Sequence, residues 1–390
     1  MKKFIFIIIL LFFISCDDTT KENLCENFSC KENEKCIINS EKPSCICDDG
    51  FHEENTVCIK NIVDICLPNP CNENNKTICE KNNDSYICKC DNGYVKENNI
   101  CKKEVLENFK FRIMASNLTS GIYQDYEEYG IRILQALKPD IVMIQEFNYD
   151  LNEDNTTSKE ELDLFISKTF GKDFNYIRGK EITIEDGDIP IPNGIISRYP
   201  IKDYGSWSDN LAVNRNFSWA RIDIPGDNDL WVVSLHLKAG SSYASRRNNE
   251  IKQLLTHLSN IPNNDYIVIG GDLNTKDRDE SAIKALSNLF NTSAPYPVGE
   301  AGKDGTNSSR RNPYDWVIAD KKLAKFHISS DFCSDETNCK RYSDGLVFDS
   351  KKYDSFDLSI YFSPVELNDS RAASMQHMGV VKDFEITYNK

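Results

Sequence analysis

The cysteines divide this chain before any other feature does. Thirteen of its 15 fall by position 101, and only Cys333 and Cys339 follow. Setting Cys16 aside leaves an even number, as expected for a disulfide-bonded exported chain. The early part must therefore consist of small cross-linked modules. The remainder, from about Val105, is long enough to bury a core of its own.

The early cysteines repeat. Cys25, Cys30, Cys36, Cys45, Cys47 and Cys58 are followed by Cys66, Cys71, Cys79, Cys88, Cys90 and Cys101, and in both sets the last three gaps hold 8, 1 and 10 residues. This is a tandem repeat of small units. The C-x-C pair lacks the C-x₂₋₄-C spacing of zinc modules, and spacing alone leaves the connectivity open. "CICDDGF" and "CKCDNGY" resemble the C-x-C-x-x-G-aromatic signature of EGF-like domains, at residues 25–58 and 66–101. That resemblance implies the pairs Cys25–Cys36, Cys30–Cys45 and Cys47–Cys58, then Cys66–Cys79, Cys71–Cys88 and Cys90–Cys101. Cys333 and Cys339 form the remaining pair. The two modules read as a spacer that contacts other surface proteins and has no chemistry of its own.

The first 16 residues, "MKKFIFIIILLFFISC", have a basic end and then an apolar run from Phe4 to Ile14, too short to span a bilayer comfortably. The segment is read as a signal peptide over 1–15. It resembles a bacterial lipobox, which implies lipidation of Cys16, a lipid-anchored linker over 16–24 and attachment to the cell envelope. An ordinary signal peptide is the alternative, and both readings export the protein.

The net charge of −15 argues against a duplex-DNA binder that works by bulk electrostatics. Beyond Val105, strand and helix patterns alternate. "FRIMASN", "DIVMIQE", "NGIISRYPI", "FSWARIDI", "LWVVSLHLKAG", "IVIGGDLNT", "YDWVIAD" and "MGVVKDFEI" read as strands. Asp125 with Glu128 and Ser158 with Glu161 have capping-box spacing. Tyr126, Tyr129, Ile133, Leu134 and Leu137 recur at helical spacing, and Ile251, Leu254, Leu255 and Leu258 share one helix face. Many strands, few helices and few tight hairpins predict two packed sheets with helices outside.

Polar residues gather at the strand ends: Asn117, Glu146, His236, Asp272, Asn274 and Asp315, with His377 just before the last strand. Continued extension would point Asp272 and Asn274 the same way, and Gly270 and Gly271 leave room for close approach. Burying Glu146 at the end of an apolar strand requires a cation or hydrogen bonds. Asp315 has the chemistry to hold a histidine ring nitrogen. Lys238, Arg246, Arg247, Arg310 and Arg311 are candidates to meet phosphate. His52 and His257 read as surface residues, and His327 as a strand or edge position.

Together these segments resemble the endonuclease/exonuclease/phosphatase superfamily, which includes DNase I-like nucleases, neutral sphingomyelinases and inositol-polyphosphate phosphatases. "LKPDIVMIQE", "NGIISRYPI", "LHLKAG", "GGDLNT" and "YDWVI" carry the resemblance, in order and spacing. It implies an α/β four-layer α-β-β-α sandwich over 105–390 and hydrolysis of a phosphate ester by water without a covalent intermediate. It implies Glu146 and Asn117 as metal ligands for Mg²⁺ (or Mn²⁺ or Ca²⁺). Asp272 would act on the water, and Asn274, Asn117, Lys238 and Arg246 would bind substrate. His236 and His377 would stabilise charge, with Asp315 orienting His377. The chain departs from the family at Gln376, where an Asp is usual. The leading expectation is a metal-dependent phosphodiesterase of nuclease type. The alternatives are a phospholipid-, sphingomyelin- or inositol-phosphate-cleaving enzyme, or an inactive surface-binding protein.

Overall fold

The computed structural model describes residues 24–61, 64–121, 124–154, 156–179, 191–212 and 214–390. The leader segment and Cys16 lie outside the described residues. The chain divides into two compact units, Met1–Glu104 and Val105–Lys390. The first is a run of antiparallel strand pairs, Glu34–Asn39 with Lys42–Cys47, Phe51–Glu54 with Val57–Lys60, Ile78–Asn82 with Ser85–Lys89, and Tyr94–Glu97 with Ile100–Lys103. Six disulfides tie it in the order first to third, second to fourth and fifth to sixth within each half. Little else in this unit is buried, so cross-links take the place of a core.

The large unit is an α/β four-layer sandwich. Its first sheet holds β1 (Leu106–Ser116), β2 (Ile141–Ile144), β3 (Asn175–Arg178) and β4 (Gly194–Ser197). The second holds β5 (Ile201–Trp207), β6 (Phe217–Ile222), β7 (Leu230–His236), β8 (Tyr266–Asp272) and β9 (Asp315–Ala319), in that order. The edge strand β10 (His327–Ile328), β11 (Leu346–Phe348) and the long β12 (Gly379–Asn389) complete the first sheet, in the order β3-β4-β2-β1-β12-β10, with β11 also on β12. Phe111, Ile113 and Val380 interlock with Ala220, Val232, Val268 and Val317 between the sheets. Helices α1 (Glu128–Leu137) and α2 (Lys159–Thr169) cover the outer face of the first sheet through Leu134, Leu137 and Phe165. Helices α3 (Ala244–Leu258) and α4 (Ser281–Leu286) cover the second through Ile251, Leu254 and Ile283.

Three local readings need correction. "NGIISRYPI" is two strands, not one: β4 stops at Ser197 and β5 starts at Ile201 in the other sheet, with Arg198 to Pro200 carrying the chain across. Asp125 does not cap α1. Glu127 occupies that position without a side-chain cap bond, and its carboxylate accepts from Ser120 Oγ at 2.6 Å. Tyr129 points outward, not into the core. The Ser158–Glu161 capping box on α2 is present in both directions.

β8 ends against the other sheet. A Cβ on Gly270 would lie 2.7 Å from Met143 Cε on β2, and one on Gly271 (φ +118°) would lie 2.2 Å from Nε2 of Gln145, just past the same strand. Gly271→Ala is therefore expected to lower unfolding free energy by about 2–3 kcal/mol, from overpacking plus a disfavoured backbone. Urea denaturation measures it, and a loss under about 0.5 kcal/mol contradicts the close approach.

Candidate active site

Topology brings the polar strand ends to one rim. β1 and β2 are parallel, so Asn117 and Glu146 both follow C-terminal ends at the same edge. β7 and β8 are parallel, with His236 directly opposite Asp272. β9 is antiparallel to β8, so Asp315, which begins its strand, pairs with Asp272. β12 is antiparallel to β1, so His377 just before it reaches the same rim. All seven polar residues converge, including the one at a strand start.

Glu146 leaves β2 in the left-handed region (φ 49°), which turns its carboxylate into the rim. Its Oε2 accepts a 2.6 Å bond from Thr119 Oγ1. Asn117 Nδ2 lies 3.3 Å from both Glu146 Oε1 and Asp272 Oδ2 and so links the two carboxylates. The loop after β8 is a turn as well as part of the site. Asp272 Oδ1 accepts from the Asn274 backbone N–H at 2.9 Å, and Asn274 itself is left-handed (φ 53°). The two side chains meet through this Asx-type turn, not through strand alternation. Asn274 Nδ2 donates to Asp272 Oδ2 and to the Leu237 carbonyl, which fixes the carboxylate.

His377 Nδ1 donates to Asp315 Oδ2 at 3.0 Å, and the same oxygen accepts from Thr306 Oγ1 at 2.9 Å. Its other nitrogen, Nε2, is 3.6 Å from Asp272 Oδ2. His236 Nε2 is 3.3 Å from that oxygen and 4.0 Å from Glu146 Oε1. The two histidines are both buried but differ in charge. Burial opposes charge on His377, yet Asp315 and then Asp272 outweigh it and raise its pKa to about 10. Burial holds His236 neutral, well below the usual imidazole range, and the positive charges of Arg215 and His377 add to this. Asp272 is pushed up to about 7, first by burial and then by Asp315 and Glu146, against the pull of His377. The group poised near neutrality is therefore Asp272.

The pocket above these groups encloses about 400 Å³, and Thr119, Arg215, Ala239, Tyr314, Ser374 and Gln376 are among the other residues of its walls. Lys238 and Arg246 do not line it. Lys238 has its backbone N–H on Glu250 and its amine 5.4 Å from the Tyr243 ring, while Arg246 pairs with Glu250 along α3. Arg247 is buried on Glu280, and Arg310 on Asp349 and the Gly305 carbonyl, so both are structural. The pocket guanidinium is Arg215, which donates from Nε to Asn214 Oδ1 at 3.3 Å. The sequence offered no signal for Arg215. Thr119 stood two residues past Asn117, and Tyr314 beside Asp315, but neither pattern is specific. Thr306 reaches Asp315 only through tertiary structure. His257, read as a surface residue, stacks on Trp207 at 5.1 Å.

The donors at this rim differ in their fitness for a hard cation. Asp272, Asp315 and His377 each bring a ligating atom within 4.8 Å of the others. A protonated imidazole already bonded to Asp315 is no ligand, however, so this trio is an ion-paired cluster in which His377 bonds Asp315 and lies 3.6 Å from Asp272. Glu146 fits better. Glu146 is buried and lines the pocket, and among the described residues its Oε1 has the 3.3 Å amide contact as its one hydrogen bond, leaving acceptor capacity for an oxygen-seeking ion. Asn117 offers its amide nitrogen to the carboxylates as it stands and would have to turn over to ligate.

Residues 131–344 match the model of the Endonuclease/Exonuclease/phosphatase family, and the chain belongs to that family. A stretch of 148 residues is 30% identical to sphingomyelinase C of Bacillus cereus, covering 33% of this chain and 43% of that protein. The chain thus spans less than half the length of the curated relatives it matches. Among solved structures, an endonuclease/exonuclease/phosphatase from Beutenbergia cavernae aligns at TM-score 0.48 and 16% identity, over 71% of this chain and 72% of that one. The human Nocturnin catalytic domain aligns at 0.46 and 15%, over 74% and 98%.

With divalent ions removed, the His377 imidazole should titrate near 10 and that of His236 well below 6.5. The sign for stability follows. The His377 contribution is complete below its unfolded pKa of about 6.5 and is lost as pH rises through about 10, whereas that of His236 is lost as pH falls below about 6.5. Nitrogen-15 NMR titration resolves five histidines readily. Titration of His377 below neutrality contradicts the assignment, and Asp315→Asn should move it down by at least about 1 unit.

Proposed function

We propose that this chain is an exported, metal-dependent phosphodiesterase of nuclease type that hydrolyses its ester by a single in-line attack of water. The observation that most supports this is the buried Glu146–Asn117–Asp272 set at the floor of a polar pocket, with the Asp315–His377 pair beside it. Mg²⁺ or Mn²⁺ on Glu146 would polarise the ester and stabilise the leaving oxygen. The remaining work belongs to the chain's own groups. Asp272, raised towards neutrality, takes the proton of the attacking water as the new P–O bond forms and the ester P–O bond breaks. Asn274 and neutral His236 hold the Asp272 carboxylate in place and so act through it. Charged His377 presents Nε2–H to the phosphoryl oxygens, and Arg215 meets their charge from the pocket wall.

Export, lipidation at Cys16 and a pair of EGF-like modules as a surface spacer belong to the same reading. The leader sequence and the disulfide order support them. Cleavage of a phospholipid such as sphingomyelin is the second reading, favoured by the sphingomyelinase C relatives. An inactive binding protein is the remaining reading, and the convergence of buried acidic and imidazole groups on one pocket speaks against it.

Hydrolysis of bis(4-nitrophenyl) phosphate by the chain beginning after Cys16 is the direct test. Turnover should require Mg²⁺ or Mn²⁺, stop with chelator, and fall by about 10³-fold in Asp272→Ala. Undiminished turnover in that variant, or in chelator, rules out the mechanism.

A further inference from the structure

Arg215 reaches the pocket from an irregular loop, and acids stand behind it as well as in front. It is nine-tenths buried and lines the pocket. Beyond the bond from Nε to Asn214, its terminal nitrogens bond nothing among the described residues. Burial holds its pKa below the usual guanidinium range, while Asp272, Glu146, Glu250 and Asp209 each pull it back up. Asp272 and Glu146 belong to the site already described. Glu250 on α3 and Asp209 in the loop after β5 have had no role in it.

Asp209 builds the loop that carries Arg215. Its Oδ1 accepts the N–H groups of Leu211 and Ala212 at 2.9 and 3.1 Å, and its own N–H donates to Asn216 Oδ1 at 3.2 Å. The Arg215 N–H donates to the Ala212 carbonyl at 3.0 Å. Glu250 fixes the neighbouring wall, because its Oε2 accepts the Lys238 N–H at 3.1 Å, one residue before Ala239 of the pocket. Gln253 Nε2 on the same helix donates to the Ser208 carbonyl at 2.8 Å and docks α3 on the loop. Both carboxyls are buried, and each keeps one oxygen, Asp209 Oδ2 and Glu250 Oε1, without a hydrogen-bond donor among the described residues. Such acceptors are costly unless a nearby cation supports them. Burial raises the pKa of both acids, and the charges of Arg246 and Arg215 act on both in the opposite sense. Arg246 Nε stands 3.6 Å from Glu250 Oε1, so Arg215 is the second guanidinium supporting these acids.

Resting on the phosphodiesterase reading, we propose that Glu250 and Asp209 are positioning residues for Arg215: they hold its guanidinium back from Asp272 and Glu146, so that its terminal N–H groups stay open to phosphoryl oxygens. A guanidinium that faced the two pocket acids alone would close on them as an ion pair and withdraw its donors. The acidic pair behind it balances that pull. Neither Glu250 nor Asp209 lines the pocket, so both act through Arg215.

The test is titration calorimetry of inorganic phosphate into the intact chain in metal-free buffer. Glu250→Gln keeps an oxygen for the Lys238 N–H and removes the charge, and Asp209→Asn does the same for the Leu211 and Ala212 N–H groups. Each should weaken phosphate binding by about fivefold. The sign is decisive, because plain loss of a nearby negative charge would tighten phosphate and a packing role would leave it unmoved. With Arg215→Met already in place, neither substitution should add a further loss. Phosphate bound as tightly or more tightly by the variants, the same loss in the Arg215→Met background, or no phosphate binding by the parent chain would overturn the proposal. Two variants at separate positions keep the test open should one of them fail to fold. Turnover of bis(4-nitrophenyl) phosphate, measured in parallel, separates this from failure of the phosphodiesterase reading. Turnover with phosphate affinity unmoved in the variants overturns the positioning alone. The expected phosphate pattern without turnover upholds the positioning and overturns the activity.

Discussion

The site depends on one buried contact between the two sheets. Gln145, the residue after β2, donates from Nε2 to Ser234 Oγ on β7 at 2.8 Å, and that hydroxyl donates back to the Ile144 carbonyl at 2.9 Å. The same amide lies against Gly271, where no side chain can be accommodated. The residues next along the strands are Glu146 and Asp272, and His236 lies two past Ser234. Buried hydrogen bonds are directional and costly to leave unmade. They therefore set how far the sheets stand apart at this rim, and with it the separation of the Glu146 and Asp272 carboxylates.

Three carboxylates buried together would repel one another, and the site answers this with proton placement. Asp315 is matched by the charged His377 and by the Thr306 hydroxyl. Glu146 has the Thr119 hydroxyl on one oxygen and the Asn117 amide on the other. Asp272 lies between them, and its proton is the one that moves near neutral pH. Two histidines of the same burial thus have opposite charge states because only one of them has a carboxylate on each nitrogen's side. The division of roles among like side chains follows from neighbours, not from residue type.

Much of this was legible in sequence. Apolar runs ending in single polar residues located the strands and the rim, and cysteine spacing separated the modules from the large domain. What escaped detection was whatever depends on long-range contact. "NGIISRYPI" reads as one strand because nothing local shows that its halves belong to different sheets. Asp272 and Asn274 were placed together for the wrong reason, since a left-handed Asn and a local hydrogen bond, not strand alternation, unite them. Lys238 and Arg246 read as candidates to meet phosphate by their charge, yet Arg215, in an unremarkable loop, is the guanidinium at the pocket. Charged side chains are long, and their direction is set by tertiary neighbours.

The proposed mechanism stands on Glu146 Oε1 as the anchor for a divalent cation. Mn²⁺ binding followed by electron paramagnetic resonance measures it directly. Uptake at this site should disappear in Glu146→Gln and persist in Asp315→Asn, because Asp315 serves His377 and not the ion. Mn²⁺ uptake unchanged by Glu146→Gln would contradict the account.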